Sequence, residues 1–435
     1  MFTFSAQRRA RDCDGRSRRD FLRIGALGAG ALTLPALLEA RAQAAAGGSV
    51  AKDTSVVWLW LAGGPTHIET FDPKMDAPAE FRSTTGEVKS KVPGITLGGN
   101  FSRMASVADR MAFVRSFAHN DSGHGSGTHY VMTGYSNRNI DNGGLPSRPS
   151  VGSICAKSRG ANNAQTGMPT YVRLGGIGSD GPAFLGKAYS PFESSGESKR
   201  DMDLRTPLER IDDRRALLTD LDRFQRKADQ TGLMDGLTAF EQQAFSLVLG
   251  NAPQAFDLKD ENPQVLQRYG KKTLAQQLLV ARRLCEAGCG FVTVSYGGWD
   301  MHSQVARSMN QRGPEVDQAV AAFLEDVEDR GLSEKILLVI TGEFGRTPKV
   351  NRNAGRDHWG PLCTLALAGG GLRMGQTVGA SDARAYRPAS DPITPQDLMA
   401  TVFQVLGIDT TTQFVNQAGR PVYMIEDGKP IAELV

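Results

Sequence analysis

Val56-Val57-Trp58-Leu59-Trp60-Leu61 is an unbroken apolar run that stops at Ala62-Gly63-Gly64-Pro65. A run this short, with no polar alternation, predicts a strand buried on both faces that opens onto a glycine turn. The same design recurs at residues 291–296, which end at Gly297-Gly298, and at 336–340, which end at Thr341-Gly342-Glu343. Residues 362–368 repeat it once more and end at three glycines. Helical periodicity covers residues 273–287, 316–330 and 395–406. Apolar strands separated by amphipathic helices predict a three-layer α/β/α sandwich with a mostly parallel sheet. In such sheets ligands bind in the loops beyond the carboxyl ends of the strands.

The first residues read as an address rather than as part of the fold. Ser17-Arg18-Arg19-Asp20-Phe21-Leu22-Arg23, an apolar stretch over 24–38 and Ala42-Gln43-Ala44 follow the order of a twin-arginine export signal with its cleavage site. The apolar stretch is short and rich in Gly and Ala, so no stable membrane span is expected after cleavage. The expected location is the periplasm or the exterior, reached through the twin-arginine machinery, which carries folded proteins.

Residues 1–44 hold eight Arg against three Asp and one Glu, a net of +4, while the whole chain is +3. The remaining body is therefore −1, which gives no electrostatic case for nucleic acid. Residues 50–435 are expected to form one α/β domain. Within them, 185–270 are rich in charge and free of strand runs, and read as a helical insertion. Cys285 and Cys289 flank a helix end; two small buried residues are expected there rather than a disulfide.

All six histidines lie in four glycine-rich segments. His67 and Asp72 follow the first strand, with Glu69 a weaker candidate between them. Asp300 and His302 sit two residues apart after Gly297-Gly298, where both can turn toward one cation. Glu343 stands at the mouth of the strand over 336–340. Asp357 and His358 are neighbours, so one is expected to touch an ion and the other to support it, with His358 the choice for ligand. Imidazole and carboxylate together suit one or two divalent ions, Zn or Mn, or Mg or Ca where more oxygen is present.

The run His119-Asn120-Asp121-Ser122-Gly123-His124-Gly125-Ser126-Gly127-Thr128-His129 leads into a helical turn. Backbone N–H groups at a helix start suit an anionic oxygen. Ser122 and Ser126 are candidate nucleophiles, and His124 a base or a metal ligand. Arg346 either holds an anionic oxygen or forms a structural ion pair, with Glu343 the obvious partner.

The order of these motifs resembles the alkaline phosphatase superfamily, in particular its sulfatase-like branch. The helix over 316–324, the linker Gly331-Leu332-Ser333-Glu334-Lys335 and the loop Thr341-Gly342-Glu343-Phe344-Gly345 are similar to the sulfatase helix, linker and metal loop. Asp300 and His302 resemble the superfamily's Asp/His metal pair, and His358 its late metal histidine. The Gly-Gly-Pro opening and Gly342-Glu343-Phe344-Gly345-Arg346-Thr347-Pro348 are most similar to a twin-arginine-exported family, domain of unknown function 1501. Aligning Met132-Thr133-Gly134 with the sulfatase Leu-Thr-Gly puts His124 at the nucleophile position. No Cys-x-Pro-Ser-Arg is present, which argues against formylglycine chemistry.

The resemblance implies an exported metal-dependent hydrolase. Its substrate would be a small anionic ester or a sulfated or phosphorylated glycan, attacked by metal-activated water or a serine. A secreted binding protein that retains the fold is the main alternative; a phosphotransferase or mutase is a further one.

Overall fold

A computed structural model describes residues 52–193 and 252–435. The export signal, and most of the expected insertion, lie outside the described residues. Fourteen strands are described: β1 (Ser55–Ala62), β2 (Glu87–Lys89), β3 (Thr96–Gly98), β4 (Met111–Val114), β5 (Tyr171–Leu174), β6 (Phe192–Glu193) and β7 (Phe291–Gly297), then β8 (Ile336–Thr341), β9 (Gly345–Arg346), β10 (His358–Trp359), β11 (Leu365–Gly369), β12 (Gln376–Val378), β13 (Gln413–Val415) and β14 (Pro421–Tyr423). The helices are α1 (His67–Thr70), α2 (Ser102–Ser106), α3 (His124–Thr133), α4 (Val151–Arg159), α5 (Ala252–Phe256), α6 (Pro263–Tyr269), α7 (Thr273–Glu286), α8 (Val305–Asp329) and α9 (Pro395–Leu406).

Eight strands form the central sheet in the order β12-β4-β11-β8-β1-β7-β5-β6. β1 lies in the middle, parallel to β7 on one side and to β8 on the other. Its odd residues Val57, Leu59 and Leu61 pack in one core with α7 and α8. Its even residues Val56, Trp58 and Trp60 pack in the other with α3, α4 and α9. Helices on both faces leave β1 no wet side, which is why it carries no polar alternation. Each buried Val or Leu contributes about 1.5–3 kcal/mol, so this segment holds the sheet's centre firmly.

The strand at the three glycines differs from its expected direction. β11 runs antiparallel to both β8 and β4, with Leu365 opposite Thr341. The start of β11 therefore meets the end of β8, and the segment before it arrives at the carboxyl edge of the parallel strands. Apolar content shows that a strand is buried but not which way it runs.

α8 begins eleven residues before the expected start at 316 and passes through Gly313 and Pro314. A glycine is needed at 313 because a Cβ there would stand 2.6 Å from Asn100 Cβ. At the borders of the expected insertion, β6 adds a two-residue edge strand beside β5, while α5 and α6 are helical. Cys155, Cys285, Cys289 and Cys363 are buried free thiols. Among the described residues, no helix is long and apolar enough to cross a membrane.

Candidate metal centre

Register brings the histidine loops together. Ala62 pairs with Gly297 and Trp60 with Thr341, so the loops after β1, β7 and β8 leave the sheet side by side. β4 runs in the same sense, which sends residues 115–124 to that edge, and antiparallel β11 brings 356–364 there from the other direction. A two-residue ribbon, His358 opposite Arg346, ties β9 to β10 across the site. Gly63 takes φ +116°, and a Cβ there would collide with the backbone N of Asp300. Only glycine lets the first loop approach the Asp300 loop this closely.

Asp300 is the hub. Its Oδ1 lies 3.0 Å from His302 Nε2 and 3.0 Å from His358 Nε2, and its Oδ2 lies 3.5 Å from His124 Nε2. The two Nε2 atoms of His302 and His358 are themselves 3.0 Å apart. Each imidazole is held at its other nitrogen by an acceptor. His124 Nδ1 donates to Glu343 Oε1 at 2.8 Å, His302 Nδ1 to Asp357 Oδ1 at 2.7 Å, and His358 Nδ1 to the Ser122 carbonyl at 2.9 Å. Those bonds assign the Nδ1 proton, leaving three Nε2 lone pairs facing the Asp300 carboxylate.

Arg346 donates to Asp300 Oδ1, but no donor faces the three Nε2 lone pairs, which repel one another and the carboxylate unless a cation or protons stand between them. Burial lowers the pKa of His358, against the opposing pull of Asp300, and so favours its neutral, ligand-ready form. Burial would raise Asp300, but the hydrogen bond and charge of Arg346 lead what outweighs it and brings its carboxyl down to about 2. Among the described residues, His124, Asp300 and His358 form the one group whose ligand atoms lie mutually within 4.8 Å, and His302 adjoins it. Carboxylate or carbonyl partners on Nδ1 are the usual support of metal-bound histidine. The residues present fit a divalent ion.

Several expected ligands have other work. Glu343 is buried; its Oε1 accepts from Gly63 N–H at 2.8 Å as well as from His124. It and Asp357 each accept from a histidine Nδ1. His67 is buried, with Nε2 3.1 Å from the Ala385 carbonyl, and burial lowers it to about 4. Asp72 accepts from the Ser381 hydroxyl and pairs with Lys74 at 3.3 Å and Arg115 at 3.6 Å. Neither His67 nor Asp72 has a contact with Asp300 or its three histidines.

Arg346 is wholly buried and spends its donors within the protein. Nε donates to the Gly64 carbonyl at 2.8 Å, and Nη1 to the Arg356 carbonyl at 3.1 Å. Nη2 donates to the Gly63 carbonyl and to Asp300 Oδ1 at 2.5 Å. Its ion-pair partner is thus Asp300 instead of Glu343, and four of its five N–H donors are engaged within the protein. Ser122 accepts from Gly360 N–H at 3.1 Å through its hydroxyl and anchors His358 through its carbonyl. Ser126 is buried and bonded to none of the histidines.

The sequence does not single out Arg356 or Asp141, and it offers Glu69 only as a weaker ligand candidate. Glu69 and Arg356 form a fully buried ion pair at 2.8 Å, which fixes the segment carrying Asp357 and His358. Asp141 caps α3, its Oδ1 accepting from Gly125 and Ser126 N–H. Thr66 three residues before Glu69 is a capping pattern, a signal that Glu69 faces its own helix start.

A family model described as "Protein of unknown function (DUF1501)" matches residues 53–435. The chain belongs to the DUF1501 family. A search of curated proteins found no match. Solved structures similar to this DUF1501 chain include the lipoteichoic acid synthase LtaP from Listeria monocytogenes, at 10% identity and TM-score 0.39, covering 89% of this chain and 77% of that one. The PsFucS1 sulfatase from Pseudoalteromonas sp. is similar at 11% identity and TM-score 0.39, covering 85% and 70%. So is the phosphonate monoester hydrolase SpPMH from Silicibacter pomeroyi, at 11% and 0.39, covering 87% and 76%. The activities those names state are those proteins' own.

Proposed function

We propose that this DUF1501 chain is an exported, metal-dependent hydrolase of phosphate or sulfate esters. The observation that carries the reading is the convergence of three Nε2 atoms on Asp300, each imidazole fixed from behind at Nδ1. His124, His302, His358 and Asp300 would hold the ion. A divalent ion in such a set polarises an ester oxygen and lowers the pKa of water at neutral pH.

The chain's own groups hold that arrangement ready. Arg346 keeps Asp300 ionised and ties it to the Gly63-Gly64 turn. Glu343, Asp357 and the Ser122 carbonyl keep the three imidazoles from turning. Asp300, His302 and His124 are each nearly half exposed, so a solvent-borne ester can reach them. Attack by water fits better than attack by serine. A phosphotransferase needs a free hydroxyl at the ion, whereas the Ser122 hydroxyl accepts from Gly360 N–H and the Ser126 hydroxyl is buried and bonded to none of the histidines.

The motif over residues 17–44 supports export through the twin-arginine pathway. The substrate is read as a small anionic ester or a sulfated or phosphorylated glycan. The test is hydrolysis of aryl phosphate and aryl sulfate by the purified mature protein, before and after metal add-back. Metal-dependent turnover supports the hydrolase; stoichiometric metal with no turnover of any ester favours a secreted binding protein instead.

A further inference from the structure

Asp141 fills a place at the start of α3 that is shaped for an anionic oxygen. Its Oδ1 accepts from Gly125 N–H at 2.9 Å and from Ser126 N–H at 3.1 Å. First-turn N–H groups have no carbonyl partner within their own helix, and they favour negative charge. Space for the carboxylate exists because residues 123 and 125 have no side chain. A Cβ on Gly123 would collide with Asp141 Oδ2, and one on Gly125 would stand 2.9 Å from Oδ1. The Ser126 hydroxyl, 1% exposed and with no hydrogen-bond partner other than the Asp141 carboxylate, lies at the same spot, 2.7 Å from where the Gly123 Cβ would be.

This cradle adjoins the metal centre. His124, the first residue of α3, turns its Nε2 toward Asp300 at 3.5 Å, and the two donor N–H groups belong to the next two residues. The carboxylate in it comes from a surface turn, Arg138–Asn142, none of whose residues is buried. That turn is closed on itself by Gly143 N–H to the Ile140 carbonyl at 3.0 Å and Gly144 N–H to the Asn139 carbonyl at 2.9 Å. Its link back to the 120–121 segment is Arg138, paired with Asp121 at 3.6 Å and 68% exposed in its side chain.

We propose that Asp141 is a gate on the anionic subsite: its carboxylate occupies the cradle until the tetrahedral oxyanion of the ester, phosphate or sulfate, takes its place. The Gly125 and Ser126 N–H groups and the Ser126 hydroxyl then bind that oxyanion beside the histidines. The link to an ester rests on the hydrolase reading; the cradle's taste for an oxyanion does not.

The test is titration of inorganic sulfate at fixed ionic strength into the wild type, D141N and D141A, with and without metal. Removing the resident carboxylate removes the competitor, so D141A binds sulfate roughly two- to fivefold more tightly than wild type. D141N falls between them, and sulfate raises the Tm of D141A more than that of the wild type. Adding G123A to D141A fills the cradle and abolishes the gain. Unchanged or weaker sulfate binding by the folded D141N and D141A proteins makes Asp141 a permanent helix cap and overturns the gate. Tighter sulfate binding without ester turnover in the metal-loaded wild type leaves the gate standing and sinks the hydrolase instead.

Discussion

Asp357 Oδ1 grips His302 at Nδ1, 2.7 Å away, so the carboxylate works on the imidazole from the side opposite Asp300. An orienting carboxylate acts through its histidine, and losing one typically costs ten- to a hundredfold in metal affinity. D357A is therefore expected to weaken metal binding by roughly ten- to a hundredfold, with D357N recovering part of it through its amide oxygen. Asp357 is half exposed, so both variants should fold. A titration in which D357N binds as poorly as D357A would mean that Asp357 touches the ion directly.

Glu69 and Arg356 are both fully buried, and Arg356 also reaches the Thr347, Pro348 and Arg82 carbonyls. Removing one partner strands a buried charge, at a cost of about 3–5 kcal/mol. E69A should lose that much stability to urea. A loss below about 1 kcal/mol would show that water or a neighbour compensates Arg356.

How much of this was visible in the chain itself varies with the kind of contact. The β1 run announces a strand buried on both faces because its length and composition leave no other reading. The histidines announce themselves because all six fall in four glycine-rich segments. Arg346 does not announce its role: its partners Gly63 and Gly64 lie over 280 residues away, and only the pairing of β1 with β8 brings them close. The direction of β11 is equally hidden, since apolar residues look the same either way along a strand. Asp141 bonds to backbone N–H groups, which carry no sequence signature; the spaced glycines at 123 and 125 were the trace it left.

His67 and His119 supply a pH dependence of known sign. Burial holds both near 4, below the open-chain value of 6.5. Between those values the unfolded chain binds protons that the folded chain does not. Their stability contribution is complete above pH 6.5 and is lost as pH falls toward 4, by up to about 3 kcal/mol per imidazole. The urea midpoint of the metal-free protein should drop between pH 7 and pH 4.5. H119F, whose new ring would lie between Phe117 and Tyr130, should flatten that slope by about one proton. Identical slopes in the two proteins would place the acid sensitivity elsewhere.

The most direct measurement is the metal content of the folded mature protein beside its H302A and H358A variants, each loaded with Zn and with Mn and then desalted. About one divalent ion per wild-type chain is expected, with little or none retained by either variant although both remain folded. A wild type that holds no ion under any loading condition, or variants that hold as much as the wild type, would contradict it.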